Sequence, residues 1–499
     1  MLYALPLNKG STLIKLNIPK LKLLTKKQLE DIHNATLEVL HRTGVVFKHP
    51  EALKIFEDAG AHVDHKSQRV FIPSYLVKEA IRKAPTRFTW HARNPKKSIK
   101  LEDDRIHFGP VCTPAFVYDL ETYQKRYATL KDFENIVRLM DYLERVDDGY
   151  GVVHIRDVPE GAAHAYALFT QLKNTDKCIR GRARGTTIAK DCLKMMSMLS
   201  SEEELTRKPM LICMINPTSP LQWDTPMIEG MMEYVKLKQI VAPSPEIMAG
   251  ATGPVTLAGT MVQHNAENLS MITLMQLMNP GTPVLYGAVS TVMDMRTTMT
   301  RLGSPELGIT HAGFAQLAKR YNIPSRGAAG STDSKVLDIQ AGYETAFNLI
   351  LATCAGFNFI TYALGAIDFS LSVCYHKILT DHELLGMIER LVRGVEVSDE
   401  TLAVDVIDTV GPGGHFLAQR HTIEHHKEEH FIPKLFDTQP YDRWLKAGSK
   451  EIRERAREEV KRILREHQPP PLDKDLEKKL EEYVKAVEKR ETRIEGQSM

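Results

Sequence analysis

No sign of charge prevails in this sequence of 499 residues. Its 65 Lys and Arg stand against 63 Asp and Glu, a formal charge of +2, so there is no electrostatic case for DNA or RNA as the main ligand. Paired cysteines are lacking too. Cys112, Cys178, Cys192, Cys213, Cys354 and Cys374 form no C-x2-C or C-x4-C spacing, which speaks against zinc ribbons and dithiol redox motifs. A chain this long and apolar needs no disulfide staples, and reduced thiols in a cytosol are expected. Long hydrophobic runs are missing. The stretch from Phe357 to Phe369 is interrupted by Asn358, Thr361, Gly365 and Asp368, and nothing reaches the roughly 18–20 residues that span a bilayer. Met1 to Lys22 holds no apolar segment followed by a small-residue cleavage site, so no signal peptide is read. The expectation is a soluble cytoplasmic protein with neither membrane nor nucleic acid as partner.

What the sequence does have is alternation. Residues 1–104 read as a small α/β appendage. Thr25 and Gln28 stand at capping-box spacing, Leu29, Ile32, Thr36, Val39 and Leu40 follow at helical intervals, and Gly44 ends that helix. A short helix over 50–58, another from Ser74, and strands over 69–72 and 87–91 complete the appendage. Over residues 105–432 short apolar runs alternate with amphipathic helices. The runs predict strands at 106–108, 151–154, 177–181, 210–215, 246–249, 283–287, 323–328 and 357–364. Helices such as 130–146, 162–172, 227–237 and 305–318 fall between them. This pattern requires parallel strands with crossover helices. It predicts an α/β fold of the TIM (β/α)8 barrel class, with an open doubly wound sheet as the alternative. Residues 433–499 are highly charged. Segments 450–466 and 475–489 read as solvated helices or an arm on a sister subunit, separated by Pro469, Pro470 and Pro471.

In a barrel, chemistry sits in the loops that follow the strands. Those loops carry Gly109, Pro110, Cys112, Thr113, His154, Asn216, Thr218, Ser219, Gly250, Gly253, Gly287, Ser290, Gly330 and Gly365. Ordinary turn chemistry explains any one of these; together they leave a mouth wide enough for a bulky planar group. The densest polar stretch, 330–344, supplies Asp333, Ser334 and Lys335 as catalytic candidates, Asp338 and Glu344 as supports and Gln340 as a polar contact. Asp333 and Ser334 would equally cap the helix that follows, and Glu344 lies one turn beyond Gln340 on the same face.

A second cluster runs from Gly411 to His415 and on to His421, His425, His426 and His430. Histidines at i, i+4 can share zinc, but no HExxH is present and the neighbouring Glu424, Lys427, Glu428 and Glu429 suit an exposed helix. No metal is assigned. The glycines there match neither phosphate-loop pattern. Phe108, Phe116, Tyr118, Tyr286 and Tyr362 fall near strand ends. Aromatic faces hold a quaternary ammonium, which has no N–H to donate, so Tyr118, Tyr286 and Tyr362 join Gln340 and His415 as candidate substrate contacts.

Residues 330–344 (GSTDSKVLDIQAGYE), 409–422 (TVGPGGHFLAQRHT), the run from Pro433 to Trp444 and the pattern from Leu24 to Val45 together resemble the trimethylamine methyltransferase family. The resemblance extends over about residues 20–460. It implies a TIM barrel, a small methylated amine as substrate, a cobalamin-type corrinoid carried by a separate cognate protein as methyl acceptor, and a homo-oligomer. Trimethylamine-using members carry pyrrolysine, whereas this sequence has only standard residues; the corresponding place is expected within or beside Ser331 to Lys335. The resemblance therefore implies a quaternary amine such as glycine betaine. Two other readings stay open: a metal-dependent hydrolase using His415, His421 or His425 with Asp368, and a binder of quaternary amines without activity.

Overall fold

The computed structural model describes residues 14–497. Residues 1–13, part of the stretch read as lacking a signal peptide, lie outside the described residues. Among the described residues, no helix is long and apolar enough to cross a membrane.

The first helix, Lys26–Arg42, begins as its sequence demands. The Thr25 side chain accepts from the Gln28 backbone and the Gln28 side chain accepts from the Thr25 backbone, a reciprocal cap. The chain turns away at Gly44, where φ is +70°, a conformation that costs a side-chain-bearing residue but not glycine. The buried face of Ile32, His33, Thr36 and Leu40 packs on the helix Leu257–Met278. That second helix is buried along nearly all its length, which is why its apolar residues show no single stripe.

The fold is mixed α/β, built around two runs of parallel strands. One run places Tyr286–Ala288 beside Ser325–Ala328, then Phe359–Thr361, then Arg105–Phe108. The other places Ile179–Arg180 beside Leu211–Ile215, then Ile240–Pro243. Single parallel bridges join Val241 to Val284 and Asp148 to Cys178, and the Asp147 N–H donates to the Phe108 carbonyl at 2.9 Å.

Two expected strands are corrected. Residues 151–154 form no strand: Val152 has φ +57°, and pairing occurs earlier, at Asp148. The charged Asp148 hid that segment from a reading based on apolar runs. The strand expected at 246–249 lies instead at Ile240–Pro243, a continuous apolar run left unassigned after the helix expected at 227–237, whereas Met248–Ala249 pairs with Thr291–Met293 in a small separate sheet.

Apolar residues divide into two main clusters, one on each side of the parallel strands. The larger joins the strands to the surrounding helices. The smaller holds Cys178, Ile212, Ile240, Ala242, Leu285 and Phe359 together with Trp90, Ala92, Ile99 and Leu101. The last four come from a hairpin of Phe88–Trp90 and Ile99–Leu101. This hairpin sits at the amino ends of the strands. Trp90 Nε1 donates to the Met210 carbonyl at 3.0 Å, and the Trp90 ring meets Phe359 edge-on at 5.6 Å between centroids.

The carboxyl-terminal helices Ile452–Glu466 and Lys474–Gln497 are charged outside but bury Ala456, Val460, Ile463, Leu480, Val484 and Val487. They pack on their own chain, and the proline break is tied down by Arg93, which donates to the carbonyls of Pro470 and Pro471.

Candidate functional site

The loop from Gly330 to Glu344 is held by its own side chains. Glu344 accepts from Thr332 Oγ1 at 2.6 Å, from the Asp333 backbone at 2.8 Å and from Gln340 at 2.9 Å. Asp333 is buried; it accepts from the Gly303 backbone at 2.9 Å and from Arg301 Nε at 3.0 Å. Burial pushes its carboxyl up, against those two donors. Ser334 donates to Asp338 at 3.0 Å, and Asp338 accepts from the Ala341 backbone at 3.0 Å. The cap of the helix Ile339–Ala355 is thus Asp338, not Asp333 or Ser334 as the spacing suggested. Lys335 is exposed; its ammonium lies 4.0 Å over the Phe369 ring. Tyr118 donates its hydroxyl to the Lys335 carbonyl at 2.7 Å. A buried Lys377–Asp381 pair braces the loop from beneath, binding the Gly330 carbonyl and the Gly365 N–H.

Of the remaining sequence candidates the structure brings Asp368 to that loop, its backbone N–H donating to the Ser334 carbonyl at 2.8 Å, and leaves the others apart. Tyr286 is fully buried, with its hydroxyl on Asn265 at 3.1 Å and its ring near His264 and Tyr321, on the helix side of its strand. Phe108 is buried in the same outer cluster, and the Phe116 ring carries Lys125. His415 is exposed between the helices Val404–Val410 and Arg420–Glu429. His421 and His425 lie 4.4 Å apart between ring centroids, and His425 meets Glu400. Asp368 holds Lys125 and Ser372. Among the described residues, no group of three or more His, Cys, Asp or Glu side chains is placed to hold a metal ion.

Tyr362 leads elsewhere. It follows a strand end with φ +63°, a left-handed conformation that bulky residues adopt only under constraint. Its ring lies 5.8 Å from the Arg326 guanidinium. Arg326 is paired in register with Phe359, so both point inside the strands. Beside them lies Arg180, whose Nε is paired with Asp148, whose Nη1 approaches Cys112 Sγ at 3.0 Å and whose Nη2 donates to the Pro110 carbonyl at 3.3 Å. Burial disfavours the Arg180 charge, but the Asp148 carboxylate more than offsets it and raises the guanidinium. Arg180 also faces the rings of Tyr150 and Phe359 at 5.1 and 5.3 Å. It fits there because Gly109 has no side chain: a Cβ would lie 2.4 Å from Arg180 Nη2.

Glu246 completes this layer. Its side chain is exposed to solvent, with Arg326 and Asn216 close by. Desolvation pushes its carboxyl up, opposed by Arg326 and by the Asn216 amide. Burial likewise raises the Tyr362 phenol, with Cys112 and Glu246 adding to it and Arg326 opposing. From the amino to the carboxyl ends, then, the interior passes from apolar side chains to paired arginines to an aromatic ring and a carboxyl. A separate cavity of about 1330 Å3 lies at the amino ends, among Lys20, Leu24, Glu30, Lys319 and Arg320, and holds none of these residues.

Comparison with known proteins places this architecture. The family model described as trimethylamine methyltransferase (MTTB) matches residues 5–494. A glycine betaine methyltransferase of Desulfitobacterium hafniense strain Y51 is 37% identical over 469 residues, covering 94% of this chain and 97% of the relative. The chain belongs to the trimethylamine methyltransferase family. Other family members include a trimethylamine methyltransferase of D. hafniense strain DCB-2, 38% identical over 93% of each chain. The corresponding enzyme of Methanosarcina thermophila is 34% identical over 93% of this chain and 97% of its own. Among solved structures, the monomethylamine methyltransferase of Methanosarcina barkeri aligns over 89% of this chain and 88% of that one, with 12% identity and a TM-score of 0.48.

In this family member, sequence reasoning missed Asp148, Arg180, Glu246 and Arg326, and treated Cys112 and Asn216 only as loop residues. A signal was available. Parallel strands covered on both faces are expected to be apolar throughout, so an arginine inside Ile179–Arg180 or Ser325–Ala328 marks a charged interior.

Proposed function

We propose that this chain takes a methyl group from a small quaternary amine, glycine betaine or a close relative, and delivers it to the Co(I) corrinoid of a partner protein. The observation that carries this reading is Glu246, exposed to solvent, with the Tyr362 ring and the two arginines in the same layer. A carboxyl and an aromatic face suit a cation that has no N–H to donate.

The reading includes a closed (β/α)8 ring formed by residues 105–432, flanked by the 1–104 appendage and the 433–499 extension. Support comes from the bridges at Asp148–Cys178 and Val241–Val284 and from the Asp147–Phe108 bond, each lying where such a ring needs a join. The reduced corrinoid supplies the nucleophile that accepts the methyl group. The chain's own residues do the rest: Tyr362 and Glu246 hold the ammonium, the small strand-end residues Gly109, Gly330 and Gly365 keep the approach clear, and the walls exclude water. The N–C electron pair stays on nitrogen, so a neutral tertiary amine departs and no proton donor is needed. Orientation of this kind lowers a barrier by roughly 7–11 kcal/mol. Asp333, Ser334, Lys335, Asp338 and Glu344 order the wall of the mouth. The reading also includes cytoplasmic self-assembly, supported by the exposed apolar side chains of Val395, Leu417 and Ile423.

The test supplies purified protein with glycine betaine and chemically reduced cobalamin or a cognate corrinoid protein. Loss of Co(I) absorbance should match dimethylglycine formation one to one. Failure across a panel of betaines and methylamines with a competent acceptor sinks the proposal.

A further inference from the structure

Two arginines lie side by side inside the strands, and their circumstances differ. Arg180 has a carboxylate, Asp148, on its Nε. Arg326 is only 2% exposed, yet its Nε has no hydrogen-bond partner. Its remaining contacts are Cys112 Sγ at 3.8 Å from Nη2 and the Tyr362 ring at 5.8 Å. No carboxylate pairs with it among the described residues. Glu246 influences it through space and lies near Asn216, whose amide donates to the Ser244 carbonyl at 2.7 Å. The other ionisable groups near it are Arg180, Cys112, His311 and Tyr362, and none of these is a carboxylate.

A guanidinium stays protonated in proteins. Burying one without a counter-ion costs several kcal/mol, a cost no other contact of this side chain offsets. An anion arriving with the ligand would offset it, and the planar fork of an arginine suits a carboxylate bidentately. Glu246, whose charge Arg326 feels, is exposed to solvent.

We propose that Arg326 binds the carboxylate of the substrate, so that the site selects a zwitterion whose methylated ammonium lies against Tyr362 and Glu246. This rests on the betaine reading above and names the residue that separates betaines from methylated amines lacking a carboxylate.

The experiment is calorimetric titration of the full-length protein with glycine betaine, choline and tetramethylammonium, which share the ammonium but not the carboxylate. Wild type should bind glycine betaine about 100-fold more tightly than the other two. Arg326→Met should erase that preference by weakening betaine alone, and Arg326→Lys should restore part of it. Wild-type protein that binds choline as tightly as betaine overturns the proposal without recourse to any variant. So does an Arg326→Met protein that loses betaine and choline equally. If wild type demethylates betaine while Arg326→Met keeps its preference, the assignment of Arg326 fails and the methyltransferase reading stands. If wild type neither binds nor demethylates betaine, both fall together.

Discussion

The loop from Gly330 to Glu344 and the charged layer inside the strands are both rich in ionisable groups, and they are arranged in opposite ways. In the loop, Glu344, Asp333, Ser334 and Asp338 satisfy one another and the nearby backbone. In the interior layer one arginine is neutralised by Asp148, while Arg326 lacks a partner on Nε and Glu246 is exposed to solvent. Under the proposed function, chemistry falls where satisfaction is incomplete and not where polar groups are densest, because a buried unpaired charge is costly to keep.

Six substitutions sharpen or break this contrast. The largest effect belongs to Asp148→Ala, which strands Arg180 and should cost about 3–5 kcal/mol in chemical denaturation. Asp333→Ala, whose partner Arg301 lies nearer the surface and can turn toward water, should cost about 1–3 kcal/mol. Equal losses would erase the distinction between the regions. Next comes Gly109→Ala. Its new methyl would press on Arg180 and Phe359, destabilising by about 1–3 kcal/mol and displacing the layer, so methyl transfer should fall as well. Glu246→Gln should lower kcat/KM about tenfold, roughly 1.4 kcal/mol of transition-state binding, with melting unchanged. Its loop counterpart Glu344→Gln should cost about 1 kcal/mol of stability and leave kcat/KM nearly as it was; the reverse pattern would return the chemistry to the loop. The smallest effect is a gain. Gly342 lies within a helix with nothing within 4 Å of an added Cβ, so Gly342→Ala should stabilise by about 0.5–1 kcal/mol.

Helices were the most legible part of the sequence. The Thr25 capping box starts its helix where the spacing indicated, because a cap is a local arrangement of a few residues. Strands with apolar interiors, such as Leu211–Ile215, were also readable. The strands bearing Arg180 and Arg326 were readable as well, through their apolar neighbours, but at Asp148 the charge broke the apolar pattern and the segment was placed three residues too late. The candidate site was obscured for a different reason. Arg180, Glu246 and Arg326 are far apart in the chain, and their meeting depends on register between parallel strands, which no local pattern encodes. Tyr362 was found because its position after a strand end is local. Tyr286 shows the limit of that signal, since one step in register turns a side chain to the other face.

Trp90 and its hairpin carry a kinetic consequence. That indole stoppers the amino ends of the strands, so under the proposed function donor and acceptor would both approach from the carboxyl ends. The protein that collects the methyl would then stand across the threshold, and the spent amine would leave only after it withdraws. The layout would thereby impose an order on turnover, donor in first and amine out last.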